Sequence, residues 1–183
     1  MTTFLTALII VVGIVCVLNL VLVFGVIRRL KEHDQALARL PHGAGAPAAS
    51  MRAPGSEVGE FTAVSTDDVP VTKETLHAET MVGFFSVSCA PCVENAPKFA
   101  EHAAGVPGGR DSVLTVVVAD GDDDPSEMVR VLGDTARVVV EGYDGPIATA
   151  FSVTAFPTYA VVAAGRITAT ALDVTTLPVP APA

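Results

Sequence analysis

From Phe4 to Ile27 the chain runs 24 residues without a charged side chain, interrupted only by Thr6, Asn19, Gly13 and Gly25. A helix rises about 1.5 Å per residue, so this run is roughly 36 Å long, enough to cross a bilayer with some tilt. A cleaved signal peptide is the natural competitor, but its apolar region spans about 7 to 15 residues behind a basic start. Here Met1-Thr2-Thr3 carries no Lys or Arg, and Arg28-Arg29-Leu30-Lys31 follows the run with no small-residue cleavage site close behind. The expectation is one uncleaved transmembrane helix over residues 1–27, followed by a domain outside the bilayer, which excludes a polytopic membrane protein.

Charge divides the remainder. Arg28 to Arg52 carries five basic and two acidic residues, whereas from Ala53 onward six Lys/Arg face eighteen Asp/Glu, a local net charge of −12. An acidic domain with no basic stripe cannot neutralise phosphates, so nucleic acid is not an expected partner. Residues 28–54 read as a juxtamembrane helix that Pro41 ends, then a linker of small residues, Pro and Gly with too little apolar surface to order itself. Roughly 130 residues are left, long enough to bury a core and fold alone.

That domain, expected over 55–172, alternates strand and helix signals. Strand candidates are Phe61–Ser65, Thr80–Val87, Ser112–Ala119 and Arg137–Val140, with Tyr159–Ala163 and Ile167–Leu172 pairing through a turn at Ala164-Gly165-Arg166. Helices are expected over Cys89–Ala104, Pro125–Leu132 and Pro146–Phe151. Alternating strand and helix closed by a hairpin predicts an α/β sandwich around a mixed central sheet. Residues 173–183 show no amphipathic closing helix and read as a Pro-rich flexible tail, leaving one face of the sheet thinly covered.

Three cysteines carry the chemistry. Cys16 lies mid-span and reads as a small apolar packing residue. Cys89-Ala90-Pro91-Cys92 opens a helix directly after a buried strand, where a disulfide can close across one turn. The positive end of the helix dipole favours thiolate at Cys89, making it the expected nucleophile, and Cys92, one turn deeper, the resolving thiol. A zinc site would need His33, His42, His77 or His102 to complete four ligands, and haem attachment would need His where Val93 stands. A purely structural disulfide would close a loop too small to stabilise much. No cofactor or metal is expected. The acidic run Asp120–Asp124 lacks the downstream bidentate Glu of a calcium loop and reads as a strand-to-helix turn, with Asp124 as N-cap and Pro125 at N1.

The stretch Phe84-Phe85-Ser86-Val87-Ser88-Cys89-Ala90-Pro91-Cys92-Val93-Glu94-Asn95-Ala96-Pro97 resembles the active-site region of thioredoxin-fold proteins, and among them the membrane-anchored TlpA/ResA-type thiol-disulfide oxidoreductases. Pro97 matches the family's kink proline, and Ala155-Phe156-Pro157-Thr158-Tyr159 looks like its cis-proline loop. The 68-residue separation of Cys89 and Pro157 leaves room for the extra strand and helix of that group. The anchor, Arg-rich stretch and Pro/Gly linker are also similar to methylamine-utilisation accessory proteins of the MauD kind.

The resemblance implies a thioredoxin-like domain exchanging electrons with protein thiols and disulfides, supplied by a membrane electron-transfer partner. It places Phe156, Pro157 and Thr158 at the substrate, where the residue before a cis proline offers its backbone to an added strand. The chain departs from the pattern at Ser88, in having no Trp, and at Asn95, where the family often carries a Glu as proton carrier. An amide cannot exchange a proton; the carboxylate left to act as proton carrier for Cys92 is Glu94, although helical spacing turns it to another face. Two rivals remain open: a peroxiredoxin, with Ser86 three residues before Cys89 but Val82 where its proline would fall, and a membrane-tethered assembly factor or chaperone without turnover. Arg28, Arg29 and Lys31 beside the span favour a cytoplasmic domain. The resemblance favours the outside, where protein disulfides persist, and that is the expectation adopted.

Overall fold

The computed structural model describes residues 50–76 and 79–180. The expected span, most of the linker and Cys16 lie outside the described residues, among which no helix is long and apolar enough to cross a membrane.

Among the described residues, seven strands and three α-helices follow in the order β1 (Thr62–Val64), β2 (Pro70–Thr72), β3 (Thr80–Ser86), α1 (Ala90–Ala103), β4 (Val113–Val118), α2 (Ser126–Leu132), β5 (Arg137–Glu141), α3 (Pro146–Phe151), β6 (Thr158–Ala163) and β7 (Arg166–Ala171). The central sheet runs β5-β4-β3-β6-β7, parallel across its first three strands and antiparallel at β3–β6 and β6–β7. β3 and β4 are buried at every position, as central strands covered on both faces must be. β6 turns into β7 through Ala164 and Gly165, both at positive φ (50° and 70°), the conformation that matches a two-residue turn to the twist of its strands. The sequence contained this hairpin but not β2, which pairs with β1 as a separate two-stranded ribbon. A three-residue strand beginning at Pro70 is too short for an alternating pattern to stand out.

Each face of the sheet buries its own cluster. On one, Val82, Phe84, Val116, Val139 and Val162 meet Ile147 and Phe151 of α3 with Val58, Phe61 and Val71 of the N-terminal segment. On the other, Met81, Phe85, Val117, Tyr159 and Val161 meet α1 and α2. The α1 stripe is Cys92, Ala96, Phe99 and Ala103, spaced so that one side of the helix faces the sheet. A Cβ on Gly83 would stand 2.7 Å from the Phe99 ring, so glycine at this position is what lets the helix approach β3 so closely.

Three local expectations are corrected. The stretch 173–183 is not a loose tail from its start: Val174 and Leu177 are buried against the α1 face, and a short 3-10 turn, Val174–Thr176, is capped by the Asp173 carboxylate, which accepts the Thr175 N–H at 2.9 Å. These apolar residues cover the face expected to be thin. At the other end, residues 50–54, expected within the linker, belong to the folded unit: Met51 is buried, Arg52 N–H donates to Phe151 O, and Thr154 N–H donates to Ser50 O. Finally, α2 begins one residue later than expected. Pro125 occupies the cap position, while the Asp124 carboxylate still accepts an amide bond from Ser126 at 3.0 Å.

Candidate active site

The register of the sheet assembles the site. β3 ends at Ser86, and its antiparallel pairing with β6 sets Phe84 opposite Thr158. Beyond that pair the loop before β6 meets the loop after β3. The Phe156–Pro157 peptide is cis. Thr158 is buried, with its hydroxyl 2.9 Å from that of Ser50.

Cys89 is the N-cap residue of α1, in extended conformation (φ −100°, ψ 109°), and Cys92 N–H donates to Cys89 O at 2.9 Å, closing the first turn. Pro91 sits in that turn, where a missing amide hydrogen costs nothing. Both cysteines are free thiols with different surroundings. Cys89 is partly exposed, and its thiol donates to Phe156 O at 3.5 Å. Cys92 is fully buried between α1 and the sheet and receives the Ser86 N–H at 3.4 Å. Burial pushes the Cys92 thiol up to about 12, the neighbouring Cys89 adds to the rise, and the Ser86 amide opposes it. The pair is thus one accessible sulfur and, a turn deeper, one sulfur held as thiol.

The remaining expected residues divide. Glu94 is exposed on the α1 surface. Asn95 uses its amide to bond Pro91 O at 2.8 Å and accepts Lys98 Nζ at 3.1 Å, so its side chain serves the helix. Pro97 lies inside α1. The acidic turn is spent on backbone: the Asp120 carboxylate accepts the Tyr143 N–H at 3.2 Å, and Asp124 holds Ser126. Among the described residues no group of three or more His, Cys, Asp or Glu is placed to hold a metal ion.

Sequence reasoning missed Tyr143. Its hydroxyl lies 3.0 Å from the hydroxyls of both Ser86 and Ser88, which are themselves 3.0 Å apart, and its ring stands edge-on to Phe156 with centroids 5.9 Å apart. It lies 55 residues from Ser88 in the chain, and no local pattern signals the meeting.

No family model matches the chain, and no curated protein matches it. Solved structures do. The thioredoxin domain of a thiol-disulfide oxidoreductase from Bacteroides vulgatus superposes with a TM-score of 0.52 at 16% identity, covering 67% of this chain and 90% of that one. StoA from Bacillus subtilis gives 0.51 at 18%, covering 65% and 90%. A secreted disulfide oxidoreductase from Mycobacterium tuberculosis, described as homologous to Escherichia coli DsbE, gives 0.50 at 17%, covering 67% and 87%. Identities this low speak for the fold alone: the chain has a thioredoxin-like α/β fold with a mixed central sheet, and its structural neighbours are thiol-disulfide oxidoreductases.

Proposed function

We propose that this protein is a membrane-tethered thiol-disulfide oxidoreductase that exchanges electrons with protein disulfides through Cys89 and Cys92. The observation that carries the reading is the inequality of the two sulfurs: Cys89 is accessible at the helix start and Cys92 is buried one turn below. In the reducing direction, Cys89 thiolate attacks one sulfur of the substrate disulfide. A Cys89–substrate disulfide forms and the other substrate sulfur leaves as thiolate, taking up a proton. Cys92 then gives up its proton and attacks Cys89 Sγ, closing the Cys89–Cys92 disulfide and releasing the second substrate thiol. Two electrons and two protons pass from the dithiol to the substrate. A buried thiol suits the second role, because it stays protonated until the mixed disulfide has formed beside it. Phe156 and Pro157 would flank the substrate segment.

The tether is the uncharged run Phe4–Ile27, with the domain on the extracytoplasmic side, where a membrane partner would recharge the pair. The decisive experiment is trapping: Cys92→Ser accumulates a mixed disulfide with substrate, and Cys89→Ser does not. Equal trapping by both variants, or peroxide consumption without insulin reduction, overturns the assignment. An impermeant thiol reagent should label Cys89 in intact cells after mild reduction; labelling only after lysis places the domain inside.

A further inference from the structure

The parallel strands β3, β4 and β5 end together, and their pairing sets Ser86 level with Val118 and Val118 level with Glu141. Two residues beyond these ends stand Ser88, Asp120 and Tyr143. Tyr143 therefore leaves the sheet from its edge strand and reaches across the end of β4 to the loop that carries Cys89, where Ser86 and Ser88 hold its hydroxyl.

Several bonds fix it there. The Asp120 carboxylate holds its backbone N–H, Gly145 N–H donates to Gly142 O at 2.9 Å to close the turn around it, and the Glu141 carboxylate secures the start of α3 by accepting Ile147 N–H at 3.1 Å and Ala148 N–H at 2.7 Å. Yet Tyr143 is 48% exposed. An exposed tyrosine normally turns its hydroxyl to water. Here the polar end is engaged by two serines, which fixes where the ring stands. That ring packs edge-on against Phe156, whose carbonyl oxygen receives the Cys89 thiol. Two aromatic side chains, one from each loop, thus pack together where the Phe156 carbonyl meets the Cys89 thiol and the Tyr143 hydroxyl meets Ser88, the residue before Cys89, and holding one of them rigid lowers the ordering cost when another chain packs on it.

We propose that Tyr143 is a specificity-determining residue of the exchange reaction, presenting a fixed aromatic wall beside Cys89 to an apolar side chain that flanks the disulfide of the incoming protein. The proposal rests on the exchange activity set out above.

The test uses the full chain, reduced, with two peptides that each carry one intramolecular disulfide and differ in a single residue beside it, Leu in one and Ser in the other. The wild-type protein prefers the Leu peptide by about tenfold in kcat/KM, the scale of a modest apolar contact. Tyr143→Ala brings the two peptides toward parity, with the change in KM, whereas Tyr143→Phe keeps the preference because it keeps the ring. A preference undiminished in Tyr143→Ala overturns the proposal, as does its loss in Tyr143→Phe to the same extent as in Tyr143→Ala. Equal turnover of both peptides by the wild type overturns the specificity role alone. Failure to exchange with either peptide overturns the exchange reading itself.

Discussion

On one face of the sheet Phe61, Phe84 and Phe151 meet at tilted angles, with centroids 5.1 Å apart for Phe84 and Phe151 and 6.5 Å for Phe61 and Phe151. On the other, Phe85 and Tyr159 both lie against Phe99, edge-on at 5.3 Å and stacked at 5.5 Å. Both clusters are dry aromatic cores of similar make-up. The second also encloses Cys92 and the Tyr159 hydroxyl, which has no hydrogen-bond partner among the described residues. Burial raises the Tyr159 phenol, with Cys92 contributing next, as it raises the Cys92 thiol. The face under α3 only holds the fold together. The face under α1 does so as well and, by burying Cys92, pushes its thiol up.

The largest expected consequence is chemical. A thiol pushed up to about 12 is almost wholly protonated at mildly alkaline pH. Iodoacetamide at pH 8 should therefore modify Cys89 and spare Cys92 in the reduced protein, as read by mass mapping. The folded thiol holds its proton to higher pH than the unfolded one, so its contribution to stability is complete below about 9 and is lost as pH climbs toward 12. Comparable labelling of the two cysteines at pH 8 would remove the distinction between the faces.

Next come matched truncations. Phe99→Ala and Phe151→Ala each remove a fully buried ring and should each lower stability by about 3 to 5 kcal/mol in denaturant titrations. Only Phe99→Ala opens space beside Cys92, and so only it should speed Cys92 alkylation under native conditions. If Phe151→Ala does so equally, the faces are not separate.

Leu177→Ala should cost about 2 kcal/mol, the low end for a buried leucine, because this side chain closes the α1 face from near the chain's end. A loss near zero would return residues after 173 to the role of a loose tail. The smallest effect is expected from Gly83→Ala, whose methyl would press on Phe99 and cost about 1 to 2 kcal/mol, measured as a lowered midpoint at constant m-value.

Much of this was legible without coordinates. Met81 to Phe85 and Val113 to Val118 are near-continuous apolar runs, and such runs are what strands covered on both faces require, so the centre of the sheet was readable to within a residue or two. The cysteine pair was equally visible, because helix start, proline and spacing all sit within four residues. Ala164-Gly165 marked its own hairpin.

What stayed hidden depends on partners far along the chain. Val174 and Leu177 look like any apolar residues among prolines until α1 lies beneath them. Tyr143 looks like a loop tyrosine until three parallel strands end level and carry it to Ser86 and Ser88. Periodicity and turn chemistry act over a few residues and are written locally in the sequence. The protonation of Cys92, the orientation of Tyr143 and the closing of the α1 face depend on which distant atoms exclude water or accept a hydrogen bond, and only strand register and helix packing together bring those atoms into place.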